Sequence, residues 1–240
     1  MPEYNLQNLL KKEYHDLWRN YEDFAELGLA HFFRAAVNPE VKKQQIDFLE
    51  KAIRKDFVVQ DNKLAKLQRA FVKENLSLYL LLDFLPVWRR LASGKPIENE
   101  TQLSEVAANL CAPKARMLMV LNNENPSTYL PMTSALVAFF LLENLQQKTE
   151  LISTVKWSRQ KQISKLEGLL KNSWVVLALV KSKRLKFRLA LLLYDLKFRI
   201  ESFKNNKQQT VTMLDAVKIF LYSILSFVMI RTRTTGKERL

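Results

Sequence analysis

Three carboxylates, Glu22, Asp23 and Glu26, stand together in the stretch EDFAE. The surrounding leucines, tyrosines and tryptophan recur at helical spacing, so the stretch belongs to a helix. Glu22 and Glu26 are then one turn apart and project from the same face. Like charges at that spacing repel and cost helix stability, so a paired acidic face calls for a counter-charge. A magnesium ion would serve, because hard cations take carboxylate oxygens. An ordinary solvated helix face is the plainer reading of the same residues, and composition alone favours it.

A second polar cluster closes an apolar run. In SALVAFFLLENLQQ, Ser134 to Gln147, every residue from Ala135 to Leu142 is apolar, and Glu143, Asn144, Gln146 and Gln147 then arrive together. A helix that is apolar all round is buried on every side. Polar groups at its end need partners. The stretch reads as a central core helix whose last turn opens into a pocket, or simply reaches the surface. Its apolar run falls short of the roughly 20 residues that a bilayer span needs.

Charge is distributed unevenly. Residues 1–155 hold 19 basic and 19 acidic side chains, whereas residues 156–240 hold 19 basic and 5 acidic, which accounts for the whole net charge of +14. Such a field attracts phosphate-bearing partners: an anionic membrane face, a diphosphate ligand or nucleic acid. A solvated basic surface kept for solubility is the bland alternative. No helix-turn-helix or zinc pattern supports nucleic acid, and the basic residues are interleaved with a continuous apolar face. The single cysteine, Cys111, permits no internal disulfide and fits a reducing compartment. Two histidines, His15 and His31, are too few for a histidine-based metal centre. The N-terminus, MPEYNLQNLLKKEYH, lacks the apolar core of a signal peptide.

The elements that must position these groups are helices. With 4 glycines, 48% hydrophobic residues and few alternating runs, the chain predicts an all-α protein with a sizeable core, and no linker demands a second domain across 1–240. Leu6 to Phe33 reads as one helix, interrupted near Gly28, with Leu9, Leu10, Tyr14, Leu17, Trp18, Tyr21, Phe24 and Ala25 inward. Asn38-Pro39-Glu40 starts the next, Asn38 as cap and Pro39 at the first helical position, with Val41, Ile46, Leu49, Ile53 and Phe57 inward. Leu64 to Leu85 is a further helix that Pro86 should end. Ser93-Gly94-Lys95-Pro96 is a turn. A helix from Thr101 is interrupted at Pro113, and Asn122 to Ser127 is a polar loop. Lys148 to Gln162 reads as a loop or lid. Helices follow at Ile163–Leu170, Trp174–Val180 and Arg184–Phe203. Thr212 and Asp215 open a last helix whose charge-free run, Ile219 to Ile230, is followed by Arg231, Arg233 and Lys237. It suits core packing or a membrane-surface anchor.

The order of these parts resembles the squalene and phytoene synthase family of head-to-head prenyl transferases, and most the bacterial branch linked to hopanoid synthesis. EDFAELG lines up with the family's DDFADEG, with Tyr14 eight positions before Glu22. Leu81-Leu82-Asp83-Phe84-Leu85 matches a leucine-rich segment, although Trp88 stands where the family has an aspartate. Leu110 to Leu118 is similar to SANPVGRLVL, keeping Pro113 and Arg116. Ser134 to Gln147 is similar to the second motif, with Asn144 and Gln147 at its asparagine and glutamine. That motif's two aspartates fall on Lys148 and Ile152, and of the following basic segment only Arg159 is kept. The matches extend over roughly residues 14–230.

The resemblance implies a single isoprenoid-synthase-type helical bundle around a central cavity. Glu22, Asp23 and Glu26 would hold Mg2+, while Arg116, Lys148 and Arg159 would hold diphosphate. Tyr14, Phe24, Phe139, Phe140, Asn144 and Gln147 would line the cavity. The ligand would be an isoprenoid diphosphate such as farnesyl diphosphate, or a lipid. With one acidic helix stripped of carboxylates, the charge stabilisation of diphosphate departure would be largely missing. Three readings stay open: a weak prenyl transferase, a non-catalytic lipid-binding or assembly-factor relative, and a basic nucleic-acid-binding protein. A homologous subunit supplying the missing aspartates belongs to the first. The expected location is cytoplasmic, peripheral on the inner membrane face.

Overall fold

The structure is a computed structural model, and it describes residues 6–23, 38–54, 62–149, 155–205 and 217–224. All regular elements among the described residues are α- or 3-10 helices. The chain enters through two 3-10 turns, Leu6–Leu9 and Lys12–Tyr14, and α1 occupies 15–23. Lys11, extended at φ −66° and ψ 150°, breaks what the sequence predicts as one helix from Leu6. The rest of that expectation, including Phe24, Ala25, Glu26 and Gly28, lies outside the described residues. Leu17, Trp18 and Tyr21 of α1 are buried.

Helix α2, Pro39–Arg54, starts as its sequence dictates: Asn38 Oδ1 accepts from the Glu40 amide at 2.9 Å, with Pro39 in the first turn. Ile46 and Ile53 are buried, but Val41 is 43% exposed, because its position is rotated off the Ile46–Ile53 stripe. Phe57 is outside the described residues. Helix α3, Asn62–Lys73, ends early. Asn75 takes a left-handed turn at φ 54°, and a 3-10 stretch, Leu78–Phe84, follows with Ser77 capping the Tyr79 amide. Pro86 then opens α4, Leu85–Ala92, instead of ending a long helix. A first-turn position suits proline, since its missing N–H is not needed there.

Helix α5, Glu100–Leu121, is capped by Asn99, which accepts from the Gln102 amide at 3.0 Å. It runs through Pro113 without the interruption the sequence predicts. An interior proline costs about 3 kcal/mol. Burial of Leu110, Ala115, Met117, Leu118 and Met119 around it outweighs that cost. A 3-10 turn, Pro126–Thr128, leads into α6, Tyr129–Gln147. Then come α7 (Arg159–Ser173), α8 (Val176–Leu179), α9 (Lys183–Lys204) and α10 over 217–224.

Helix α6 lies at the centre, packed most extensively on α5 and α7 and also touching α9. Ala135, Leu136, Val137, Ala138, Leu141 and Leu142 are all buried, as an all-round apolar turn requires. Together with its 3-10 lead, Pro126–Gln147 is long and apolar enough to cross a membrane. More than half of its most apolar window is buried against other helices, as befits a core helix. One contiguous apolar core runs from Leu9 to Ile200.

Candidate functional site

Three segments bring polar groups together around Tyr21. The end of α1 supplies Tyr21 and Glu22, the 3-10 stretch supplies Asp83, and α5 supplies Cys111 and Arg116. Arg116 Nη1 donates to Asp83 Oδ2 at 2.5 Å, and both side chains are partly exposed. The Tyr21 hydroxyl is fully buried and has no hydrogen-bond partner among the described residues. Burial, and then the Asp83 carboxylate, push its pKa well above the usual tyrosine value, with Glu22 adding to the rise and Arg116 opposing it. An aromatic column fixes the ring. Trp18 lies 5.7 Å and Phe84 5.4 Å from it between centroids, and Phe84 stacks on Trp88 at 5.4 Å. Trp88 is thus an apolar wall, 1% exposed.

Cys111 links this cluster to α6. Its thiol is pushed up to about 12 by burial, with Lys114 lowering the value and Glu143 raising it. It is therefore protonated at neutral pH and is a packing residue, not a nucleophile. Glu143, at the polar end of α6, lies close enough to act on it.

Asn144, further along the polar end of α6, is occupied locally. Asn144 Nδ2 donates to the Phe140 carbonyl at 2.7 Å, and its Oδ1 accepts from Thr149 Oγ1 at 2.6 Å. The side chain thereby closes the helix C-terminus. Lys148 follows in the left-handed conformation at φ 48° and ψ 46°, exposed, with no side-chain partner among the described residues. Gln147 is exposed, and Phe139 and Phe140 pack at the edge of the core, as does Tyr14.

Of the sequence-predicted residues, Glu22 and Arg116 meet around Tyr21. Asp23, next along α1, is exposed. Arg159 is used elsewhere: at the start of α7 it donates to the Phe203 carbonyl and lies over the Phe203 ring at 4.8 Å, tying α7 to the end of α9. Phe24, Glu26 and Ile152 lie outside the described residues. Sequence reasoning placed Tyr21 on the buried face of its helix but missed it as the centre of this cluster, and missed Asp83 as the partner of Arg116. Their only signal was position: Tyr21 precedes Glu22, and Asp83 sits in a motif read for its leucines.

Glu22 is half-buried beside Tyr21, and adjacent residues of a helix diverge by about 100°, so Asp23 does not share its face. No group of three or more potential ligating side chains occurs among the described residues. At the end of α6, the side chain is the cationic Lys148. These described residues do not fit a cluster of ions bridging two acidic helices.

No family model matches the chain, and no curated protein matches it significantly. Its architecture is nevertheless the all-α fold of isoprenoid synthases. The crystal structure of a dehydrosqualene synthase in complex with ligand aligns over 96% of this chain and 90% of its own length, with a TM-score of 0.62 at 13% identity.

Proposed function

We propose that this chain is a divergent squalene/phytoene-synthase-like protein that binds an isoprenoid diphosphate and transfers prenyl groups weakly or not at all. One observation carries the reading: where the family that the sequence resembles has an aspartate, α6 is followed by an exposed Lys148 with no side-chain partner among the described residues. A lysine ammonium attracts diphosphate as a point charge without a metal. It cannot hold the cation that neutralises a departing diphosphate. Arg116 is already matched to Asp83, so it adds less net positive charge than its type promises.

The experiment is incubation of the full chain with farnesyl diphosphate and magnesium, followed by product analysis, beside a Glu22→Ala/Glu26→Ala variant. The expected result is unreacted farnesyl diphosphate, or traces of head-to-head product that the double variant abolishes. Efficient turnover would refute the weak-transfer part of the reading. Failure to bind a thiolo-diphosphate analogue would refute the binding part.

A further inference from the structure

Helix α10 turns its large apolar side chains outward. Ile219 and Ser223, one turn apart, are fully buried, while Val217, Phe220, Leu221 and Ile224 are between 38% and 53% exposed. Those four follow the i, i+3, i+4, i+7 spacing of one helix face. Lys218 is the one charge in 217–224. Beside this stripe, a cavity of about 610 Å³ opens between the N-terminal 3-10 turns and α9, with Leu9 and Leu192 among its apolar lining and Lys12, Arg184 and Arg188 as its cations. Phe187 lines the cavity and meets Phe220 edge to face at 6.1 Å, so stripe and cavity form one continuous surface.

The cavity is charged without compensation. No carboxylate lies within ion-pair distance of Lys12, Arg184 or Arg188 among the described residues. Arg188 is oriented by one hydrogen bond to the Leu10 carbonyl at 3.1 Å. His15 contributes a buried Nε2 with no hydrogen-bond partner among the described residues.

We propose that this continuous face docks on an anionic lipid bilayer. The α10 stripe enters the headgroup–acyl boundary, and a lipid phosphate sits among Lys12, Arg184 and Arg188. Charge complementarity selects the occupant. An apolar helix face beside unmatched cations is what an interfacial helix on anionic lipid requires. A free phosphate would leave the stripe in water, and so would a nucleic-acid backbone. The proposal does not rest on the reading of the Tyr21 site.

The test is co-sedimentation of the full chain with phosphatidylcholine vesicles, with and without phosphatidylglycerol. Binding is expected only to the anionic vesicles. Arg184→Glu is expected to weaken it at least about fivefold, the effect of removing one cation near an anionic surface. Phe220→Ser/Leu221→Ser should also lose it, with unchanged circular dichroism and thermal midpoint. Lys161→Glu/Lys165→Glu, on α7, should bind as the wild type. Equal binding to neutral vesicles, undiminished binding by Arg184→Glu, or release by inorganic phosphate at the lipid-phosphate concentration would each overturn the proposal. Should the serine variant unfold, the Arg184→Glu result decides alone.

Discussion

Arg116 and Asp83 form a cross-segment ion pair in the Tyr21 cluster, and both are partly exposed. Such a pair contributes on the order of 1 kcal/mol. A double-mutant cycle of Arg116→Gln and Asp83→Asn, read by urea denaturation, should return a coupling energy of about that size. Asp195 offers a pH test. It is buried, and burial raises its pKa above the ordinary aspartate value despite the Arg199 guanidinium at 2.8 Å. The folded state therefore binds this proton more tightly than the unfolded state does. Its contribution to stability falls as pH rises from the ordinary carboxyl range through the raised value. Asp195→Asn removes that fall, so the wild-type-minus-variant difference in unfolding free energy should decline with pH across that window. A flat difference would show that the burial penalty is relieved by Arg199.

Two element junctions depend on single residues. Glu124, buried in the α5–α6 connection, accepts from the amides of Lys181 and Ser182 at 2.9 and 3.1 Å, fixing the start of α9 against that connection. Glu124→Ala leaves two amides without their acceptor and should cost about 1–3 kcal/mol in denaturant melts, with Glu124→Gln milder. Lys148 ends α6 in a left-handed conformation that disfavours side chains by about 1–2 kcal/mol, against a glycine entropy cost of about 0.5–1 kcal/mol. Lys148→Gly should thus raise stability by about 0.5 kcal/mol while weakening diphosphate binding, and calorimetry would read both effects. The helices themselves were legible where local chemistry decides: Asn38 as cap, the turn at Gly94, the buried face of α6. They were not legible at Pro86 and Pro113. A proline's effect depends on whether it falls in a first turn or in a helix held by packing, and packing is not written in neighbouring residues. The polar end of α6 was visible as a cluster, but not that Asn144 would spend itself on its own helix.

Across the whole molecule, the all-α fold followed from few glycines and helical spacing, and the order of weak motifs pointed to the isoprenoid-synthase architecture that the dehydrosqualene synthase shares. The Tyr21 cluster did not follow, because it joins residues from three distant segments, and such contacts leave no spacing to read. The basic last third proves partly structural: Arg159, Lys197, Arg199 and Lys204 are engaged within the chain. The cations around the α9 cavity have no carboxylate within ion-pair distance among the described residues. Binding and turnover separate in one experiment, equilibrium dialysis of labelled farnesyl diphosphate against the full chain with magnesium, followed by chemical analysis of the retained label. Retention of intact farnesyl diphosphate is the predicted result. No retention, or conversion to a head-to-head hydrocarbon or its diphosphate precursor within a few turnovers, would contradict it.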